Sequence, residues 1–297
     1  MEAKNSALVA LAPIMWGANY AVTAALMPPD YPLLASAARA LIPGLLLLAI
    51  VRELPKGSWW WRSLVAGMLS IGGFFVCVFV AAQRLPSGVA ACVMGLSPIV
   101  MAVLAHWLAG ETLRRVTLIA GAVAFGGVVL IAQPGGGVDV IGLVASAIGL
   151  LSSAFGFILV KRWSPAPKPM PLVAWQLTWA GLVLTPLALV VEGVPATVTV
   201  PELLGLAYIC LPATGLAYLA WFHGLARLNA SVVGLIGAIN PIVGLLTGVV
   251  FLHERLTAWQ ALGVVLIVVA IAWNGAGRPP WRPGLFLPRL AWSRGAG

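Results

Sequence analysis

The chain has 297 residues, of which 61% are hydrophobic and only 8% are charged, and its mean hydropathy is +1.03. A soluble domain carries about 25% charged residues, and a globule of this size could not hide so much apolar surface from water. The formal net charge of +9 does not indicate a nucleic-acid partner, because the charges are sparse and lie between apolar runs.

Ten apolar segments, each long enough to cross a bilayer as a helix of about 20 residues, are separated by charges, prolines and glycine runs. They span residues 6–27, 33–51, 63–82, 88–108, 116–132, 140–160, 172–192, 202–222, 230–252 and 259–275. We therefore predict an all-α integral membrane protein with ten transmembrane helices. The first segment is expected to be a retained helix and not a signal peptide, since nine spans follow it.

The distribution of basic residues predicts the orientation of these spans. With the N-terminus in the cytoplasm, fourteen Lys and Arg residues fall in cytoplasmic loops and tails, and only Arg84 and Arg255 fall outside. Such an excess sets the topology of bacterial membrane proteins. We expect a multi-pass protein of the inner (plasma) membrane with both termini cytoplasmic.

Residues 277–297 cannot continue the last helix, because four prolines are spread among four arginines. This segment is expected to be a basic cytoplasmic tail that touches anionic lipid headgroups.

An internal repeat relates the two halves of the chain at a constant offset of 143 residues, which places 81–132 over 223–274. Pro98-Ile99-Val100 then meets Pro241-Ile242-Val243, and Glu111 meets Glu254. Each half, 6–132 and 140–274, contains five spans, and five is odd, so the halves must enter the membrane from opposite faces. Inverted repeats of this kind are typical of secondary transporters, whose substrate site lies near the midplane between the repeats.

The sequence resembles the drug/metabolite transporter superfamily, in particular its ten-helix branch built from two EamA-type domains. The residues that carry the resemblance are Trp16-Gly17-Ala18-Asn19, Arg39, Leu96-Ser97-Pro98-Ile99 with Gly110-Glu111, and Ile239-Asn240-Pro241-Ile242 with His253-Glu254. The resemblance implies export of small metabolites, often amino acids, through a pore enclosed by helices of both halves. The resemblance is also compatible with an exporter of aromatic amino acids, although substrates vary within the family.

Arg39 is the one basic residue predicted within a span, about 9 Å along the second helix from its outer end. A guanidinium at this depth could bind a substrate carboxylate through two parallel hydrogen bonds. The alternative is that it reaches the headgroups or pairs with nearby carbonyls. No Asp or Glu lies deep in a predicted span, which argues against a carboxylate-based proton relay.

Asn19 and Gln176 are further predicted cavity residues, because their amides are difficult to satisfy in lipid. Pro98 and Pro241 occupy matching places in helices 4 and 9 and free a carbonyl in the preceding turn. Paired interruptions of this kind indicate a central site or a hinge, while ordinary kinks that shape packing explain them equally well.

Aromatic residues within the helices favour an amphipathic substrate over a sugar phosphate, because rings bind apolar side chains and ammonium groups. Single rings also face lipid or neighbouring helices. The rings assigned to the substrate cavity are those of Trp16, Tyr20, Phe74, Phe155, Trp175, Trp179 and Tyr218.

We predict a secondary transporter that exports small neutral or zwitterionic metabolites, most of all amino acids with aromatic ones favoured, by alternating access around a midplane cavity. The alternatives are a facilitative, channel-like pore and an exporter of other metabolites or drugs such as purines or sugars. The usual catalytic motifs are absent, so an enzyme is not predicted. Neither a metal nor a cofactor is expected, and ten helices can enclose a path within one chain, so a monomer suffices.

Overall fold

The computed structural model describes residues 2–110, 113, 115–131, 139–163, 167–225, 236 and 239–276. The predicted tail, most of the beginning of the predicted ninth span and Glu111 lie outside the described residues.

The described residues are helical almost throughout, and the helices follow the predicted apolar segments. The first half contains α1 (Glu2–Leu26), α2 (Pro32–Val51), α3 (Trp59–Gly67), α4 (Gly73–Arg84), α5 (Ser87–Gly95), α6 (Ser97–Ala109) and α7 (Arg115–Ile131). The second half contains α8 (Val140–Arg162), α9 (Pro169–Val191), α10 (Val200–Cys210), α11 (Ala217–Leu225), α12 (Ile239–Phe251) and α13 (Ala258–Ala276). Two π-helical segments, Met68–Gly72 and Leu211–Leu216, join α3 to α4 and α10 to α11.

These helices make ten spans within the described residues, which confirms an all-helical membrane fold. Seven of the spans are long and apolar enough to cross a membrane, and α7, α12 and α13 contain shorter apolar stretches. Large apolar side chains such as Val190 (85% exposed) and Phe251 (73% exposed) point out of the bundle. In a bilayer these side chains face lipid, so their exposure costs nothing.

The helix contacts are symmetric: a contact between two helices recurs between the equivalent helices of the other half. The most extensive contacts join α2 to α9 and α7 to α13, which are equivalent spans of the two halves. The contact of α1 with α12 likewise corresponds to that of α8 with α5 and α6. Because each half has five spans, equivalent helices run in opposite directions, and the pattern is that of an inverted repeat.

Glycines allow α2 and α9 to approach closely where they cross. A Cβ added to Gly44 would lie 2.7 Å from the backbone nitrogen of Thr178, and one added to Gly181 would lie 2.5 Å from Leu41 Cα. Each glycine is the thirteenth residue of its helix, so the crossing is itself symmetric. Small residues at such crossings permit the backbone packing that holds membrane helices together.

Candidate functional site

A buried arginine lies at the junction of the two halves. Arg39 of α2 is 8% exposed, and its Nε donates a hydrogen bond of 3.1 Å to Thr214 Oγ1 in the second π-helical segment. The guanidinium carbon lies 4.1 Å from the centre of the Phe75 ring, a cation–π contact. Among the described residues, only Nε of Arg39 makes a hydrogen bond, and the two terminal nitrogens of a guanidinium have the geometry to bind a carboxylate.

The other half repeats this arrangement with a neutral side chain. Gln176 is the eighth residue of α9, as Arg39 is of α2, and it is 4% exposed. Ser70 Oγ, in the first π-helical segment, lies 3.3 Å from Gln176 Oε1. The two-fold relation therefore pairs Arg39 and Thr214 with Gln176 and Ser70.

Both hydroxyls belong to the π-helical segments, Ser70 to Met68–Gly72 and Thr214 to Leu211–Leu216. In a π-helix the backbone hydrogen bonds join residues five apart instead of four, and such segments are common at functional sites. Thr214 Oγ1 donates to the carbonyl of Ile209 at 2.7 Å, and Ser70 Oγ donates to that of Ala66 at 2.6 Å. Each hydroxyl is thus held by its own helix while it also meets the polar side chain of the opposite half.

Aromatic side chains of both halves form a wall beside Arg39. Trp16 of α1 donates from Nε1 to the carbonyl of Ala213 at 3.0 Å, and its ring centre lies 5.8 Å from that of Tyr218 and 5.2 Å from that of Trp221. Tyr20 lies one helical turn after Trp16 and is 4% exposed. Ala213 directly precedes Thr214, the acceptor of Arg39 Nε, so the Trp16 ring lies next to the arginine site.

Asn19 lies on the same face of α1, between these rings in sequence, and is 2% exposed. Its Oδ1 has no hydrogen-bond partner among the described atoms. A buried acceptor without a partner costs about 1–3 kcal/mol, so a ligand or water that donates to it would lower the free energy of this site.

The remaining predicted aromatic residues lie elsewhere. Phe74 packs on Phe75 with ring centres 5.9 Å apart, and Phe75 is the ring that contacts the Arg39 guanidinium. Trp175 donates from Nε1 to the carbonyl of Glu53 at 2.7 Å, toward one end of the bundle. Trp179 meets Trp60 at 6.2 Å, and Phe155 is 38% exposed, and none of the described contacts connects these three rings to Arg39.

The two predicted proline interruptions differ in how much of them is described. The span that contains Pro98 is broken, since α5 ends at Gly95 and α6 begins at Ser97. Pro241 is the third residue of α12, and the residues at 237 and 238 lie outside the described part of the chain.

The site therefore offers a single cation, neutral hydrogen-bonding groups and aromatic surface from both halves. Such a set can bind an organic monoanion through its carboxylate while rings contact its side chain. Among the described residues, no three His, Cys, Asp or Glu side chains are close enough to hold a metal ion.

Ser70, Thr214 and Phe75 were not predicted as site residues from the sequence. The repeat offset of 143 residues, extended back to the third and eighth spans, places Ser70 within one residue of Thr214 and is the signal that could have found these two, while no sequence signal marks Phe75.

Comparison with known proteins places this fold among transporters. The profile of the EamA-like transporter family matches residues 4–133 and 140–275. Protein PecM of Dickeya dadantii is 40% identical over 88% of this chain and 88% of its own, and the probable amino-acid metabolite efflux pump of Salmonella typhimurium is 28% identical over 92% and 95%. A solved crystal structure with 21% identity covers 92% of this chain and 96% of its own, with a TM-score of 0.64, which supports the fold.

Proposed function

The chain belongs to the EamA-like transporter family, and on that premise we propose that it exports small zwitterionic metabolites, with amino acids preferred and aromatic ones favoured. The observation that carries the proposal is Arg39, a buried cation whose terminal nitrogens make no hydrogen bond to the described residues. A single arginine matches one carboxylate, whereas a sugar phosphate would call for several basic groups.

Three further features support an amino acid as the substrate. The unpartnered Oδ1 of Asn19 can accept from an ammonium group, and the rings of Trp16 and Tyr218 can contact both the ammonium and an apolar side chain. Relatives of this chain carry the name of probable amino-acid metabolite efflux pumps.

Transport proceeds by alternating access in this proposal. The halves 6–132 and 140–274 rock about the central site, which each side of the membrane reaches in turn. Both termini are cytoplasmic, since that orientation follows the positive-inside pattern, and the basic segment 277–297 is a cytoplasmic tail. One chain encloses the pathway.

The test is counterflow in proteoliposomes with phenylalanine and two truncated analogues, phenethylamine and 3-phenylpropanoate. Arg39→Gln is expected to lower phenylalanine flux by about tenfold or more, because it removes a charge-assisted pair. Arg52→Gln is the matched control, since Arg52 is an exposed arginine at the C-terminal end of the same helix.

Two outcomes contradict the proposal. Equal competition by phenethylamine and phenylalanine in the natural protein shows that the carboxylate is not recognised. Flux that does not saturate with substrate concentration shows a pore and not a carrier.

A further inference from the structure

Glu192 of the second half caps a helix of the first half. It is the residue that follows α9, and its Oε1 and Oε2 accept the backbone N–H groups of Leu33 (2.8 Å) and Leu34 (2.9 Å) at the start of α2. The cap residue of α2, Tyr31, makes no side-chain hydrogen bond to these groups. The first amides of a helix lack partners within it and favour a negative charge, so Glu192 supplies what α2 lacks.

Glu254 forms a second contact of the same kind at the same ends of the spans. Its carboxylate oxygens both accept the backbone N–H of Ser87 at 2.9 Å, and Oε1 also accepts Ser87 Oγ at 2.9 Å. Ser87 is the first residue of α5 and is fully buried. The carboxylate is seated against Gly248, where any Cβ would collide with it, and the Glu254 N–H donates to the Gly248 carbonyl at 3.1 Å.

At the opposite ends of the spans, Glu53 lies just beyond α2, while Glu111, which the repeat pairs with Glu254, lies outside the described residues. Glu53 is the second residue after α2, whereas Glu192 directly follows α9, and in the start of α9, Pro169-Met170-Pro171, only Met170 has an N–H to donate. Glu53 instead lies 3.8 Å from Lys168, with both side chains more than half exposed. An exposed pair of this kind contributes little.

We propose that Glu192 and Glu254 are latches between the two halves, and that each helps to hold one end of the pathway closed while its carboxylate stays on the helix N-terminus. We name this end of the bundle the glutamate face. The inference rests on the proposed function, because latches of this kind act only if the halves rock. Among the described residues, the start of α9 receives no carboxylate contact like that of Glu192 on α2, so the proposal concerns the glutamate face.

The test follows the accessibility of a natural thiol in reconstituted protein. Cys92 is fully buried in α5, about 7.5 Å along the helix from Ser87. With Cys77→Ala and Cys210→Ala, it is the only thiol of the three that the chain contains. We expect Glu192→Gln with Glu254→Gln to raise the rate of Cys92 labelling by a membrane-impermeant maleimide by about tenfold or more, because charged hydrogen bonds hold the closed state.

Glu202→Gln is the matched control. Glu202 lies on the same face and also serves a helix N-terminus, but its partner is Thr199 of the same half, with a distance of 2.7 Å from its Oε2 to the Thr199 nitrogen. Its labelling rate should equal that of the unchanged protein. If the double variant fails to fold, Gly248→Ala displaces the Glu254 carboxylate by another route and should also raise the rate.

Labelling of Cys92 that stays within twofold in folded double and Gly248→Ala variants overturns the latches. Electron–electron distances between spin labels at Asp30 and Val194, one in each half, supply a second measure, and they should lengthen in the double variant only. Both readouts need no substrate. If transport shows no amino-acid specificity but Cys92 labelling still depends on the two glutamates, the proposed substrate is refuted and the latches are not.

Discussion

Replacing Gly181 by alanine tests whether a single close crossing holds the two halves together. A Cβ at this residue would lie 2.5 Å from Leu41 Cα and 2.6 Å from Leu41 N. Ordinary carbon contacts are about 3.5–4.0 Å, so α2 and α9 would have to separate locally by about 1 Å. The obstacle is backbone, which cannot rotate away as a side chain can.

The expected magnitude follows from two opposing effects. Overpacking of a close interface costs about 1–3 kcal/mol, while the change from glycine to alanine within a helix gains about 0.5–1 kcal/mol. We expect Gly181→Ala to lower the free energy of unfolding by about 1–2 kcal/mol. Gly126→Ala in α7 is the matched control, because nothing lies within 4 Å of its Cβ position, and it should raise stability.

The assay is thermal unfolding of the purified protein in detergent, followed by the fluorescence of its 13 tryptophans. The melting temperature should fall in Gly181→Ala and in Gly44→Ala, which approaches the same crossing from the other helix. A rise in all three variants would refute the close crossing. Equal falls in all three would show that alanine is harmful in these helices for a reason other than contact.

Three further predictions concern the site and one loop. Thr214→Val removes the acceptor of Arg39 Nε, so the KM for phenylalanine in counterflow should rise several-fold while its maximal rate changes less. Phe75→Leu removes the cation–π contact, worth about 0.5–2 kcal/mol, and should lower the melting temperature. The pKa of Asp139, at the start of α8, is lowered below its ordinary 3.8 because its carboxylate accepts the Gly142 N–H and pairs with Arg84. Its stabilisation is present above pH 3.8 and fades as the pH falls through the lowered pKa. Asp139→Asn should therefore lower the melting temperature at pH 7, and this difference should shrink in acid.

The spans and their repetition could be predicted from the sequence because a lipid solvent demands long apolar helices. The pairing of α2 with α9 could not, since it depends on which backbone lies opposite Gly44 and Gly181. Periodicity within one helix carries no information about a neighbour in another half.

Of the residues around Arg39, the sequence predicted the polar side chains that are costly in lipid and the rings of Trp16, Tyr20 and Tyr218, but not the hydroxyls. Arg39 and Gln176 are polar enough to be recognised in an apolar helix. Serine and threonine in such helices usually bond their own backbone, and Ser70 and Thr214 do so as well, which hides their second role. Glu192 could be placed in a loop, but its position on α2 depends on tertiary structure.

If the two halves rock as proposed, the crossing of α2 with α9 sets how far each part of α2 moves. Gly44 is eleven residues from Leu33, which is about 16 Å along α2. A rotation of about 15° at the crossing would carry the start of α2 about 4 Å from Glu192, enough to break both hydrogen bonds. Arg39 is only about 7.5 Å from the crossing and would move about 2 Å. If the halves rock about this crossing as proposed, the glutamate face therefore opens by about twice the distance that Arg39 moves, because Arg39 lies nearer the pivot.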